Sequence, residues 1–545
     1  MGLQTIDYIV FLTYFFIVSG YGYYIYRQKK DEKMDSKDYF LAEGSLTWWA
    51  IGASLIASNI SAEQFIGMSG SGFAMGLAIS TYEWMAAATL IVVAVFFIPI
   101  YLKNKIYTMP QFLSQRYNDA VSTLMAVFWL LVYVFVNLSS ILYLGALAIE
   151  TITGIDFYYC MYGCAIFAIF ITLGGMKVIG YTDVIQVFVL VLGGLATTYL
   201  ALDLVSDQLG GTGAWDGLGF LRKEAADHFS MILDEGEIMI PNGEGGTRDA
   251  YMDLPGLSVL IGGMWIVNLN YWGCNQYITQ RALGADLNTA RNGLLFAAFL
   301  KLMMPVIVVL PGIAAYVLHK NGLFQAEMAN AAGHVKPDHA YPVLLNLLPA
   351  GLKGLSFAAL TAAIVASLAG KANSISTIFT LDIYRKFFNK NASEARLVGF
   401  GKITVVVSFI IAVLVAPVLR NLDQAFQYIQ EYTGFISPGV FAIFALGFFW
   451  KRTTSAAALT AAVLTIPLST FLKFQFSEIP FLDRMGIVFV VCVVLMILIT
   501  LFDPKSKNNP KGLEIDSSMF KTTTTFAVLS VLICGILAAL YIAFW

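Results

Sequence analysis

The sequence predicts an all-α polytopic membrane protein of about 14 transmembrane helices, with two five-helix units of opposite orientation at its centre. Three observations lead there. Hydrophobic residues fill 58% of the 545 positions, charged residues only 12%, and the mean hydropathy is +0.73, well outside the range of soluble domains. The apolar residues gather into runs of about 20, the length a helix needs to cross a bilayer. Two of those runs, the second and the seventh, are interrupted by polar residues at mid-depth.

In chain order the candidate spans open with 7–26, 47–72 and 76–101, followed by 120–149, 157–174 and 180–205. After a long loop come 254–279, 291–318, 352–383, 398–419 and 424–450, and the chain closes with 453–473, 484–502 and 522–544. The first run has no basic segment ahead of it and continues into Tyr26-Arg27-Gln28-Lys29-Lys30, so it is expected to remain as an anchor. The second reads Ala57-Ser58-Asn59-Ile60-Ser61-Ala62-Glu63-Gln64 at its middle. Lipid offers a broken helix no partners, so such a break belongs against a cavity, an ion or another helix. Glu83 lies in the third span, and Asp183 opens the sixth. Residues 207–253 carry ten Asp and Glu against three Lys and Arg and are expected to form a solvated external cap. The seventh span breaks within Asn268–Gln276. Lys301 follows the apolar run Leu294–Leu300 in the eighth, and the eleventh holds Gln424 to Tyr432.

The broken spans are five apart in the order, which makes 47–206 and 254–450 inverted five-helix repeats with discontinuous first helices. Residues 1–46 then form an extra helix with a cytoplasmic linker, and 451–545 three further helices.

Loop charge sets the orientation. With the N-terminus outside, 22 of the 33 Lys and Arg fall in cytoplasmic segments and nine outside. Both termini are therefore expected on the external side of the cell membrane. The net charge of −2 sits in loops, and no nucleic-acid partner is expected. Cys160, Cys164, Cys274, Cys492 and Cys534 lie in or beside apolar spans with neither metal spacing nor a disulfide framework, and read as buried small hydrophobes. No nucleophile elbow, phosphate loop or metal site is present, so the chain is not expected to be an enzyme.

Ionisable groups within spans are costly and are functional candidates by default. Gln64, Asn268 and Gln430 both donate and accept hydrogen bonds, Glu83 accepts, and Lys301 donates. Tyr271, Trp272, Phe426 and Met68 add flat or pliable apolar surface suited to the C–H face of a sugar ring. Together they suit an uncharged polyol. For any one such residue, an interhelical hydrogen bond is the plainer account. Five polar positions on five spans, two of them broken, favour a substrate pathway.

The run Phe40-Leu41-Ala42 with Trp48 to Gly67, in which Ala57-Ser58-Asn59-Ile60-Ser61-Ala62-Glu63-Gln64-Phe65 is the centre, resembles the signature of the sodium/solute symporter family. So do Thr182-Asp183-Val184-Ile185-Gln186, Asn275-Gln276 with Gln280-Arg281, and Thr377 to Tyr384. The resemblance continues through Phe426–Gly434 to the last span and is nearest to the family's bacterial sodium/galactose members. It implies the leucine-transporter fold, with one helix before the ten-helix core and three after it. It further implies that Gln64, Glu83, Asn268, Lys301 and Gln430 hydrogen-bond a hexose. Tyr271 would stack on the ring and gate it, backed by Trp272, with Met68, Tyr82 and Phe426 as lid and walls. The coupling sodium ion would take the carbonyls of Ala57, Ile60 and Ala363 and the hydroxyl of Ser367. Ala366 stands where the family has a second hydroxyl, and Asp183 matches an acid on the ion exit route. Lys371, on the Ser367 face one turn further, occupies a position that is apolar in relatives. It would pair with an acid such as Asp183, or replace part of the cation's role.

The function implied is sodium-coupled import of galactose or glucose by alternating access. Alternatives are another polyol such as inositol, weakened sodium dependence or proton coupling, and a non-transporting sugar sensor.

Overall fold

Only closed hydrogen-bonded elements survive in lipid, and this chain is built almost wholly of helix. The computed structural model describes residues 3–28, 46–241, 246–329, 333–421, 425–513 and 515–545. The stretch Phe40-Leu41-Ala42, the basic residues Lys29, Lys30, Lys33 and Lys37, and Gln424 lie outside the described residues. Among those described, ten helices are long and apolar enough to cross a membrane, and two shorter apolar helices, Phe157–Thr172 and Ser437–Phe449, accompany them.

Both expected interruptions are present, and each has a local cause. The helix Trp48–Asn59 ends where Ile60 turns extended (φ −82°, ψ 100°). The Ser61 N–H, which would otherwise continue the ladder to Ala57, donates instead to Gln64 Oε1 at 3.0 Å. A π-helical turn, Glu63–Met68, then leads into Ser69–Met75. Wide turns of this kind recur at functional sites. The second interruption is shorter and later than the window Asn268–Gln276 suggested. Gly263–Gly273 is continuous, and only Cys274 and Asn275 leave the helix before Gln276–Leu283 begins. Asn275 causes the restart, because its side chain accepts from Tyr277 N–H at 3.1 Å and caps the new helix.

Helical backbone runs on from Glu63 to Lys103, 41 residues, about 60 Å of helix and twice the hydrocarbon thickness. Gly76 divides it. Its φ of 72° reverses the chain, and a Cβ there would lie 2.3 Å from the His228 carbonyl oxygen.

The broken helices sit at the centre of the bundle. Leu287–Val308 packs on Trp48–Asn59 and Thr81–Val92, while Leu352–Ile378 packs along Met176–Gln208 and Thr5–Gln28. At the first crossing the backbones nearly touch: a Cβ on Gly52 would lie 2.7 Å from Gly293 O. Small residues allow such approach where lipid provides no hydrophobic drive between helices.

The first helix supplies a cap to another. Asp7 is fully buried, and its Oδ1 accepts from Gly351 N–H at 2.7 Å and Gly354 N–H at 2.9 Å, the start of Leu352–Ile378. Orphan N–H groups at a helix start need such an acceptor. Asp7→Ala is expected to cost about 1–2 kcal/mol, read as a lower midpoint of thermal unfolding in detergent.

The described residues of 207–253, the expected solvated cap, carry secondary structure of their own. They include the helix Ala214–Glu224 and a hairpin pairing Met239–Pro241 antiparallel with Thr247–Asp249, with Leu221, Leu233, Ile238 and Ile240 buried. His228 anchors the segment, stacked on Tyr316 with ring centroids 4.0 Å apart and its Nε2 3.3 Å from Phe73 O. Burial holds the imidazole pKa below its ordinary value. The unfolded state therefore takes up this proton first. The His228 contribution is complete above about pH 6.5 and is lost as pH falls below it. The protection of residues 226–232 against amide exchange, taken relative to the intrinsic base-catalysed rate at each pH, is accordingly expected to fall between pH 7.5 and pH 5. His228→Phe should suppress that change.

Of the cysteines, Cys160, Cys164, Cys274 and Cys492 are buried, but Cys534 is exposed on the last helix, against the expectation that all five lie inside.

Candidate functional site

Residues carried by both interrupted helices and their neighbours surround one cavity of about 80 Å³. All ten residues expected to contact sugar line it: Gln64, Met68, Tyr82, Glu83, Asn268, Tyr271, Trp272, Lys301, Phe426 and Gln430. That volume is well below the roughly 300–1,000 Å³ of ligand-filled small-molecule sites, so the walls lie nearly closed on one another.

At its heart Lys301 Nζ donates to Glu83 Oε2 and to Asn59 Oδ1, with side-chain exposures of 1% for Lys301 and 3% for Glu83. A buried charge persists only when paired, and the Asn59 amide satisfies a further ammonium proton. The Trp272 ring centroid lies 5.2 Å from the same nitrogen. Asn59 Nδ2 also donates to Tyr271 Oη at 3.2 Å, so one amide joins the charge pair to the aromatic expected to stack on sugar. Tyr271 and Trp272 meet edge to face, centroids 5.2 Å apart. Tyr82 and Phe426 meet similarly at 5.4 Å, and both are buried with Met68. Asn268 Nδ2 donates within its own helix to Met264 O at 3.2 Å, leaving its amide oxygen toward other partners.

The charged residues are braced from behind. Trp84 Nε1 donates to Leu302 O at 3.3 Å, next to Lys301. Thr81 and Tyr541 share a hydrogen bond of 2.7 Å, tying the Glu83 helix to the last helix.

Several lining residues had not been singled out as contacts. Asn59 and Glu63 belong to the same polar stretch as Gln64 and were legible there as polar groups without a role. Asn270 donates to Ser437 Oγ at 3.0 Å across the cavity wall, a pairing that no local pattern announces.

The expected ion position lies beside the first break. Ser367 Oγ is 3.2 Å from Ala57 O and 3.0 Å from Ser58 O. Tyr277 also donates its hydroxyl to Ser58 O. Because the helix ends at Asn59, these carbonyls face Leu352–Ile378 instead of a next turn. A hard cation takes oxygen ligands, and converging carbonyls with one hydroxyl fit that chemistry. Ala363 and Ala366 are buried on the facing helix, and Ala366 brings no side-chain oxygen.

Asp183 is buried, and its Oδ2 accepts from Ser54 Oγ at 2.5 Å, while Arg281 Nε donates to the same hydroxyl at 2.9 Å. Ser54 thus mediates between acid and base. The pairing of Lys371 with Asp183 is not seen. Lys371 Nζ lies 3.6 Å from the Tyr277 ring centroid, 4.9 Å from that of Tyr133, and 3.4 Å from Asn137 Oδ1. Ser54 holds one Asp183 oxygen, the other has no hydrogen-bond partner among the described residues, and Lys371 turns instead to Asn137 on another helix.

With this geometry in hand, comparison with known proteins is specific. A family profile described as "Sodium:solute symporter family" matches residues 39–465. A Vibrio parahaemolyticus protein named sodium/glucose cotransporter is 48% identical over 552 residues, covering 100% of this chain and 99% of its own. A human protein named sodium/myo-inositol cotransporter 2 is 34% identical over 478 residues, covering 84% of this chain and 68% of its own. Among solved structures, a Na+-coupled sialic acid symporter in a substrate-bound, outward-open state superposes with a TM-score of 0.76 at 23% identity, covering 92% of this chain and 99% of its own. Mhp1, a nucleobase-cation-symport-1 family transporter, gives 0.50 at 14% identity, covering 88% and 100%.

Proposed function

Since the chain belongs to the sodium:solute symporter family, we propose that it is a secondary active transporter that imports a hexose together with sodium. The observation that carries this is the single cavity in which Gln64, Glu83, Asn268, Lys301 and Gln430 converge between Tyr271, Trp272 and Phe426. Its polar groups match hydroxyls in both directions, and its rings match the C–H face of a pyranose. No helix N-terminus is needed for an uncharged solute, whereas a carboxylate substrate would call for one.

The helical segments form a multi-pass membrane protein, and we read fourteen of them as spans. Gly76 divides the long stretch into two arms, and Gly263–Gly273 with its continuation makes a further crossing. The inverted units are then 47–206 and 254–450, with both termini outside.

Sodium bound by the carbonyls of Ala57, Ile60 and Ala363 and the hydroxyl of Ser367 would fix the shape of the first break. That break sets the position of Gln64, whose Oε1 accepts from both Ser61 N–H (3.0 Å) and Ser61 Oγ (3.2 Å). Its Nε2 is then aimed at a sugar oxygen. Met68, Tyr82 and Phe426 close over the substrate, the two repeats rock, and Tyr271 leaves Asn59 to release it inward. Asp183, hydrogen-bonded to Ser54, lies along the ion's way out. One charge entering down about 100 mV gains ~2.3 kcal/mol, and a tenfold sodium gradient adds about 1.4 kcal/mol. At one sodium per sugar the two sustain roughly a 500-fold sugar gradient.

Counterflow of labelled galactose, glucose and myo-inositol in proteoliposomes, with sodium or choline, tests the proposal. Sodium-dependent exchange of a hexose is expected. Inositol alone would move the assignment to a cyclic polyol, and exchange of none of them would remove it, leaving a sensor.

A further inference from the structure

The cytoplasm-directed half of the ion-bearing helix holds a charge that the transport cycle above does not use. Lys371 is 3% exposed, four residues beyond Ser367 and so on the same helix face, about 6 Å along the axis. Its ammonium sits in a box made by the rings of Tyr277 and Tyr133 and the amide oxygen of Asn137, with no carboxylate oxygen in hydrogen-bond range among the described residues. Tyr277 is also the residue whose hydroxyl holds Ser58 O, beside the carbonyl of Ala57. The charged groups that act on Lys371 are Glu63, which attracts it, and Arg281, which repels it. Glu63 begins the π-helical turn after the break, lines the sugar cavity, and has a buried carboxylate oxygen without a hydrogen-bond partner.

We infer that Lys371 is a tethered cation that lowers the protein's affinity for sodium, setting the external concentration at which sugar uptake half-saturates. The inference rests on the sodium-coupled reading above. Two effects of the ammonium act in the same direction. It repels a cation held at Ser367 one turn away, across an interior where such repulsion is weakly screened. It also occupies the field of the Glu63 carboxylate, which would otherwise attract that cation. The aromatic box suits this role. Ring faces hold an ammonium in place without neutralising it, whereas a carboxylate partner would cancel its charge. Arginine at 371 would keep the charge, and Met or Gln would remove it at similar length.

The test uses the full-length protein. Sodium is titrated against tryptophan fluorescence in detergent and against sugar uptake in proteoliposomes at fixed membrane potential, for the wild type, Lys371→Met, Lys371→Gln and Lys371→Arg. Half-saturating sodium is expected to fall roughly tenfold or more in the Met and Gln variants and to stay near the wild-type value in Arg. A wild type that responds to sodium beside Met and Gln variants that bind it no more tightly overturns the inference alone. If neither the wild type nor any variant responds to sodium by either readout, sodium coupling falls and this inference falls with it. The Gln variant carries the comparison if the Met variant is not recovered folded, and fluorescence reports ion binding even where transport is lost.

Discussion

Lys301→Met is expected to reduce sugar counterflow roughly a hundredfold or more and to destabilise the protein by about 3–5 kcal/mol. Both losses have one origin. Removing the ammonium leaves Glu83 buried without its partner and takes from Asn59 the donor to its amide oxygen. Asn59 holds Tyr271 at 3.2 Å, so the aromatic wall loosens too. Glu83→Gln alone should be similarly inactive. Combined with Lys301→Met, it should recover much of the thermal stability, because no charge is then left unpaired, while exchange stays absent. Thermal unfolding and counterflow on the two single variants and the double variant separate these roles. Stable, inactive double variants support direct sugar contact, and recovery of exchange in the double variant would show the pair to be only a structural staple.

Ser367→Ala is expected to raise half-saturating sodium at least about tenfold, since loss of a ligand that contacts a charge costs ~1.5–3 kcal/mol. Here it is the one hydroxyl of the expected ligand pair, because its neighbour is Ala366. The same substitution frees Ala57 O and Ser58 O from the contacts at 3.2 and 3.0 Å. Ala366→Ser should act in the opposite direction by adding a second hydroxyl. Sodium-dependence curves of uptake for the two variants check this. If both leave the curve where it is, the ion is bound elsewhere.

Much of this architecture was legible because the bilayer punishes irregular backbone, so Ser58-Asn59-Ile60-Ser61 reads either as interhelical hydrogen-bonding groups or as a break against a cavity or an ion. The second break was placed too broadly. Asn268 and Asn270 are polar, yet they stay helical and face the cavity, and what ends the helix is the capping geometry of Asn275, which polarity alone does not reveal. The ten cavity residues came from polar positions within spans and from family resemblance, which together locate side chains facing the centre. Partners across helices were beyond reach. Lys371 could be put on the Ser367 face, but which helix opposes that face depends on packing, and the partner met there is Asn137. The acidity of 207–253 does not announce an apolar underside, because its buried Leu221, Ile238 and Ile240 are diluted among charged residues.

The bonds from Ser61 to Gln64 Oε1 carry a consequence for energetics. One side-chain oxygen fixes the peptide beside the expected ion carbonyls, and the same side chain lines the proposed sugar cavity. Any free energy by which sodium sharpens that amide's aim must return when sugar binds first. Linkage then requires the factor by which sodium tightens sugar binding to equal the factor by which sugar tightens sodium binding. A substitution confined to Ser61, which by this geometry touches neither solute, should shrink both factors together and leave each solute's solitary affinity nearly intact. Such a protein would still bind its two cargoes, but as strangers.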